Sequence, residues 1–320
     1  MKRIFCVLLS LLLLVSSLAS CGGLGESEDK ISIVTTVFPE YDWARQILGE
    51  KRNDVELILL TENGTDLHSY QPSVADMAKI TTCDLLIYTG GTSDAWIDEA
   101  LALYPSETRK TLKLTELLPE NALLFEQSEH HNNAEHHHDN EEYDEHVWLS
   151  LRLAVSFCDA ICDRLSKLMP ENEQVYRENC EAYTLQLKAL DRAYTDAVEA
   201  SSLDAVLFAD RFPFSYLFHD YSLTCYAAFP GCSSETEASF KTISFLAESM
   251  DALSIPAVIV LENSDNTLAQ TVINTTAAKT ATIVKMNSMQ AITREDIDSG
   301  IDYLSVMTQN LSALKIALGQ

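Results

Sequence analysis

Residues 129–146 read EHHNNAEHHHDNEEYDEH and hold six of the chain's eight histidines among seven acids. Neutral imidazole is a good zinc ligand, and its ordinary pKa of about 6.5 leaves most of it deprotonated at neutral pH. The carboxylates add attraction for a cation, and no Lys or Arg occurs from Leu114 to Leu151 to oppose it. The chemistry written in this stretch is metal capture. Low hydrophobicity and high charge predict a surface loop over 126–146 with no core of its own. A loop that must be ordered around each ion binds less tightly than a preformed site. His130, His131, His136, His137 and His138 therefore read as an accessory metal scavenger.

Two other histidines have different surroundings. His68 lies in NGTDLHSYQPSVADM, where Asn63-Gly64 marks a turn and Pro72-Ser73 opens a helix with Ser73 as its N-cap. His146 lies in DEHVWLS, where the acidic tract gives way to apolar sequence and a helix begins near Trp148. Each is a histidine at the edge of an ordered element, as a preformed metal site requires.

The elements that must hold them alternate in type. Short β-rich runs, ISIVTTV, VELILL, DLLIYTG and ALLF in the first half and LDAVLFA, SLTCYAAF, PAVIVLE and ATIVKM in the second, are separated by helical patterns. Apolar runs of this length between helices predict buried parallel strands, so the fold class is α/β with two lobes of mainly parallel sheet. Between the halves, Tyr176, Cys180, Tyr183, Leu187, Leu190, Tyr194 and Val198 recur at steps of four and three after Pro170. That stripe predicts one long, rigid connecting helix over 169–201, roughly 40 Å in length. The expected division is an N-terminal lobe over 31–168 and a C-terminal lobe over 202–320.

The chain opens MKRIFCVLLSLLLLVSSLASCGG, two basic residues and an apolar run too short to span a bilayer comfortably, which predicts a secretory signal peptide over 1–20. LASC resembles the bacterial lipobox, which implies lipidation of Cys21 and anchoring to the outer face of the cytoplasmic membrane, with 21–30 as a flexible tether. Loss of Lys2 and Arg3 with the signal peptide takes the formal charge from −26 to −28. Such an acidic surface disfavours nucleic acid and anionic lipid and accumulates cations. Six further cysteines, Cys83, Cys158, Cys162, Cys180, Cys225 and Cys232, include no C-x-x-C knuckle and read as buried thiols or one or two structural bridges.

GTDLHSYQPS, then a histidine-rich insertion, then DEHVWLS, resembles the ZnuA-like zinc and manganese solute-binding lipoproteins of bacterial ABC importers. The resemblance extends to FSYLFHDYSL, TEAS and YLSVMTQNL and covers nearly all of the mature chain. It implies a monomeric receptor without catalytic activity, metal in the cleft between lobes, His68 and His146 as ligands, and an ABC permease as partner. The chain departs from the family pattern at the other two ligands. The third, His or Glu three residues before the Phe of a Phe-x-Tyr pattern, falls on Arg211, ahead of Phe214 and Tyr216. Arginine offers no acceptor and cannot ligate. The fourth, usually Asp, falls on Asn287. Three accounts stand: Asp210 and Glu262 substitute, with Glu262 ending PAVIVLE; or two histidines hold zinc with water and the loop; or Arg211 pairs with Glu262 where metal would sit.

An imidazole-rich set favours Zn²⁺ over Mn²⁺, with a manganese receptor as the alternative. A surface zinc buffer or adhesin is a further class. A metallohydrolase is disfavoured, because H-E-x-x-H, G-x-S-x-G and P-loop patterns are all missing from the sequence.

Overall fold

The structure, a computed structural model, describes residues 30–119, 144–231 and 238–320. Strands β1 (Ile31–Thr35), β2 (Val55–Leu59), β3 (Leu85–Tyr88) and β4 (Lys110–Lys113) form one sheet in the order β2-β1-β3-β4. Strands β5 (Ala205–Phe212), β6 (Thr224–Pro230), β7 (Ala257–Leu261) and β8 (Thr282–Met286) form a second in the order β6-β5-β7-β8. Neighbouring strands run parallel in both. LLIY and AVIVL are buried throughout, as strands covered on both faces must be.

The expected strand ALLF lies outside the described residues. The fourth strand of the first sheet is instead KTLK, whose only fully buried residue is Leu112. It pairs with β3 at the end of the sheet, and an edge strand with one covered face carries no continuous apolar run to announce it.

Helices α1 (Phe38–Leu48), α2 (Val74–Thr82) and α3 (Ala95–Leu103) belong to the first lobe, and α4 (Leu151–Leu168) leads out of it. Helix α5 (Glu173–Ala200) is the expected connector, and Tyr176, Cys180, Tyr183, Leu187 and Tyr194 of its stripe are buried. Helices α6 (Ser215–Asp220), α7 (Phe240–Leu253), α8 (Thr267–Thr275), α9 (Arg294–Asp298) and α10 (Tyr303–Ala317) complete the second lobe.

The lobes share a core. Trp43, Phe157 and Trp148 of the first belong to the same apolar cluster as Tyr194, Phe208 and Tyr303. Trp148 Nε1 donates to Ser288 O at 2.9 Å, and Tyr303 Oη donates back to Trp148 O at 2.7 Å. Tyr303 N also donates to Asp42 Oδ2 of α1 at 2.9 Å. Buried bonds of this kind resist wide hinge opening.

In each sheet the first strand has neighbours leading in opposite directions, so the order reverses between β1 and β3 and again between β5 and β7. Loops leaving the carboxyl ends of such strands part and open a crevice, where ligands of α/β sheets bind. His68 follows β2, Ser93 follows β3, Asp210 and Arg211 end β5, and Glu262 follows β7.

Candidate metal centre

His68 sits in a 3-10 turn, Leu67–Ser69, whose N-cap is Asp66. Asp66 Oδ1 accepts from His68 N at 3.0 Å. His146 opens a second 3-10 turn, Val147–Leu149, which passes through the N-cap Ser150 into α4. Asp144 Oδ1 accepts from His146 N at 2.9 Å. Each histidine is therefore pinned by an aspartate two residues earlier, a D-x-H pattern present twice in the chain and passed over in the sequence.

The two imidazoles face one another through Nε2, 3.2 Å apart, with ring centroids 5.2 Å apart and planes inclined by 53°. Their other nitrogens are backed by acids. His146 Nδ1 lies 2.7 Å from Asp144 Oδ1, and His68 Nδ1 lies 3.0 Å from Glu145 Oε1 and 2.7 Å from Ser93 Oγ. Ser93 Oγ in turn donates to Glu145 Oε1, and Ser93 N donates to Glu145 Oε2 at 3.0 Å.

Burial pushes the Asp144 carboxyl up, but the charge and hydrogen bonds of His146 outweigh it and hold the group below its ordinary value. Burial likewise opposes ionisation of Glu145, and the hydrogen bonds of His68 and Ser93 outweigh it. Both acids are ionised at neutral pH and accept only. An acceptor at each Nδ1 favours the Nδ1–H tautomer, the one in which a neutral imidazole offers Nε2 to a metal. In that tautomer both Nε2 lone pairs are directed at one small volume, an arrangement that attracts a cation. Tetrahedral zinc with Zn–N bonds of about 2.0–2.1 Å separates its nitrogens by about 3.3 Å, close to the spacing found. His146 is fully buried, and His68 retains some exposure through which an ion can enter.

The acidic loop was expected to extend to residue 146. Its last three residues instead enter the core, with Asp144, Glu145 and His146 all buried, because two of them hold the imidazoles and the third is one. Tyr216, two residues after Phe214, donates from Oη to Asp144 O at 3.0 Å and ties this segment to the second lobe. His130, His131, His136, His137 and His138 lie outside the described residues, as does Cys21.

The remaining candidates are held as follows. A register shift between Phe208 and Arg211 interrupts the β5–β6 ladder and re-aims the strand end. Asp210 Oδ1 accepts from Arg211 N at 2.9 Å and Oδ2 from Leu261 N at 3.2 Å. Arg211 Nη2 reaches Asp66 Oδ2 at 3.5 Å, so its carboxylate partner is Asp66 and not Glu262, the partner in the third of the three accounts. Glu262 accepts from Ser288 N at 3.0 Å and Ser288 Oγ at 2.8 Å. Burial raises its carboxyl, and the charge of Asp66 adds to that rise. Asn287 Oδ1 accepts from Met289 N at 2.7 Å, a local turn bond. Among the described residues, no group of three or more His, Cys, Asp and Glu gathers in ligating geometry. Cys83, Cys158, Cys162, Cys180 and Cys225 are free thiols, and Cys232 lies outside the described residues.

Comparison with known proteins follows the same lines. Residues 33–317 match the family described as zinc-uptake complex component A, periplasmic (ZnuA). The zinc-binding lipoprotein AdcA of Streptococcus pneumoniae is 33% identical over 318 residues, 98% of this chain and 61% of that protein. The chain thus spans 61% of the length of that relative. The high-affinity zinc uptake system protein ZnuA of Bacillus subtilis is 29% identical over 314 residues, 94% of this chain and 93% of the relative. The Zn(II)-bound ZnuA-like domain of S. pneumoniae AdcA superposes with a TM-score of 0.73 at 30% identity, covering 91% of this chain and 100% of that domain.

Proposed function

The chain belongs to the ZnuA family of periplasmic zinc-uptake components, and from that premise we propose that it captures Zn²⁺ outside the cytoplasm and delivers it to the permease of an ABC importer. The observation that carries this reading is the pair of carboxylate-backed imidazoles with Nε2 atoms 3.2 Å apart at the crevice between the sheets. Zinc is the cargo, and no chemical step accompanies its capture; affinity, selectivity and release are the function. The relatives named for zinc support the choice over manganese, as does the imidazole pair.

His68 and His146 are the nitrogen donors. The oxygen candidates to join them are Glu262, Asp210 and Asn287. Glu262 follows β7 at the strand-order reversal. All three already accept hydrogen bonds within the second lobe, Glu262 from Ser288 N and Oγ, Asp210 from Arg211 N and Leu261 N, and Asn287 from Met289 N, so ligation by any of them must displace or share such a bond. Arg211 neutralises Asp66 and keeps one positive charge at the cleft, which makes this site weaker than one with an imidazole there. The histidine loop raises the local zinc concentration, and a lipid anchor at Cys21 keeps the receptor beside the permease.

Calorimetric zinc titration of the chain bearing His68→Ala or His146→Ala tests the reading. Each substitution is expected to weaken the tight site roughly 100-fold or more, given that loss of a mere supporting partner costs about 10–100-fold. Unchanged affinity in both variants would remove the cleft as the binding site.

A further inference from the structure

Two imidazoles make half of a zinc coordination shell. Zinc takes four ligands in tetrahedral arrangement, and His68 and His146 supply two of them. Among the described residues, no third His, Cys, Asp or Glu joins them in ligating geometry. Both oxygens of Asp210 hold backbone N–H groups, both oxygens of Glu262 hold Ser288, and Asn287 Oδ1 holds Met289 N. Two positions on the metal are left for donors from solution.

A cation stands close by. Arg211 lies near the end of β5, at the strand-order reversal. Among the described residues its guanidinium makes one polar contact, from Nη2 to Asp66 Oδ2 at 3.5 Å, which is long for a charged pair. The other oxygen of that carboxylate accepts from His68 N at 3.0 Å. A single carboxylate therefore stands between the guanidinium and the turn that carries His68. The Arg211 side chain is 36% exposed, so solutes reach it. A guanidinium presents five N–H donors in a planar fork that grips a carboxylate through two of them, and one long contact leaves most of that fork unused.

A bare dication arriving at the imidazoles meets this like charge, and water as its remaining ligand does nothing to offset it. An anion that binds zinc through one group and Arg211 through another completes the shell and turns a repulsion into an ion pair. We infer that the cleft takes zinc as the chelate of a small polycarboxylate, with one carboxylate on the metal beside His68 and His146 and another on the Arg211 fork. Two carboxylates on one carbon chain can reach from metal to fork, a span that the single tetrahedron of inorganic phosphate lacks. The inference rests on the two histidines as nitrogen donors and refines the cargo from the bare ion to its chelate. Arg211 is then a specificity-determining residue, which disfavours bare zinc and selects the zinc–anion complex.

The test is equilibrium dialysis of the full-length chain, loaded with an equimolar amount of zinc, against radiolabelled citrate, with acetate and inorganic phosphate in parallel. The expected result is citrate retained one for one with zinc, none retained by the zinc-free chain, and acetate and phosphate held roughly tenfold or more weakly. In Arg211→His, which binds zinc in citrate-free buffer and so reports its own folding, citrate retention should fall roughly tenfold or more, the cost of losing a charged hydrogen-bond donor. Zinc held with no citrate, or citrate held equally by Arg211→His, would overturn the chelate while leaving zinc capture by the cleft intact. Phosphate retained in place of citrate would overturn the assignment to carboxylates. Zinc and citrate both retained undiminished by His68→Ala and by His146→Ala would overturn the cleft reading itself.

Discussion

At the scale of single residues, the site is built from two copies of one local device. Asp66 and Asp144 each stand two residues before a histidine and hold its backbone N–H, and Asp144 also backs the ring of His146. Because Asp144 carries the charge that fixes the His146 tautomer, Asp144→Asn should weaken zinc binding about 10–100-fold with the fold retained. Competition titration against a chromophoric chelator measures this, and an unchanged affinity would show that the carboxylate has no such role. Arg211→His should act in the opposite direction. It removes a cation from the cleft, releases Asp66 and supplies an imidazole, so zinc affinity should rise by roughly tenfold or more; a fall would mean that the Arg211–Asp66 pair holds the site in shape. His68 and His146, whose rings the structure brings together, were legible in the sequence as candidates, because the family resemblance marked them and each sat at the border of an ordered element. Asp144 and Glu145 were not, since acids beside an acidic loop look like solvated surface until the fold buries them, and Asp66 and Ser93 were not, since nothing local to them announces the contacts with His68.

At the scale of elements, the segment carrying His146 depends on the start of α4. Ser150 Oγ accepts from Leu153 N at 3.1 Å and donates to Asp220 Oδ2 at 2.5 Å, joining the cap to the second lobe. Ser150→Ala removes both bonds and should cost about 1–2 kcal/mol in urea denaturation, with a matching loss in the folded fraction under stress. A loss below about 0.3 kcal/mol would assign the capping role elsewhere. The strands buried on both faces, such as β3 and β7, were readable from apolar runs alone, and α5 from its stripe of tyrosines and leucines. Strand β4 was not, because Lys110 and Lys113 flank the single buried Leu112 and its neighbour β3 alone decides that it is a strand. The strand-order reversals that place the cleft are likewise a property of pairing between distant segments, which no local pattern records.

At the scale of the whole molecule, the shared core and the Trp148–Ser288 and Tyr303–Trp148 bonds favour delivery by small shifts over wide closure. A second whole-molecule property follows from two acids behind the site. Thr36 Oγ1 donates to Glu40 Oε2 at 3.1 Å and lies 3.4 Å from Asp94 Oδ2. Burial, with the charge of Asp94 added, raises Glu40 to about 8, and burial raises Asp94 to about 7. Between the ordinary carboxylate range and these values the folded chain holds more protons than the unfolded chain, so stability falls as pH rises from about 5 to about 8. The urea midpoint of the metal-free chain should decline across that interval and flatten in Glu40→Gln; a midpoint that rises throughout would contradict the shifts. The central claim, a preformed zinc site in the cleft independent of the histidine loop, is tested most directly by calorimetric zinc titration of the chain lacking residues 129–145, with manganese as competitor. One tight, manganese-resistant site surviving the deletion is the predicted result. Loss of all zinc binding would contradict it and make the loop the only site.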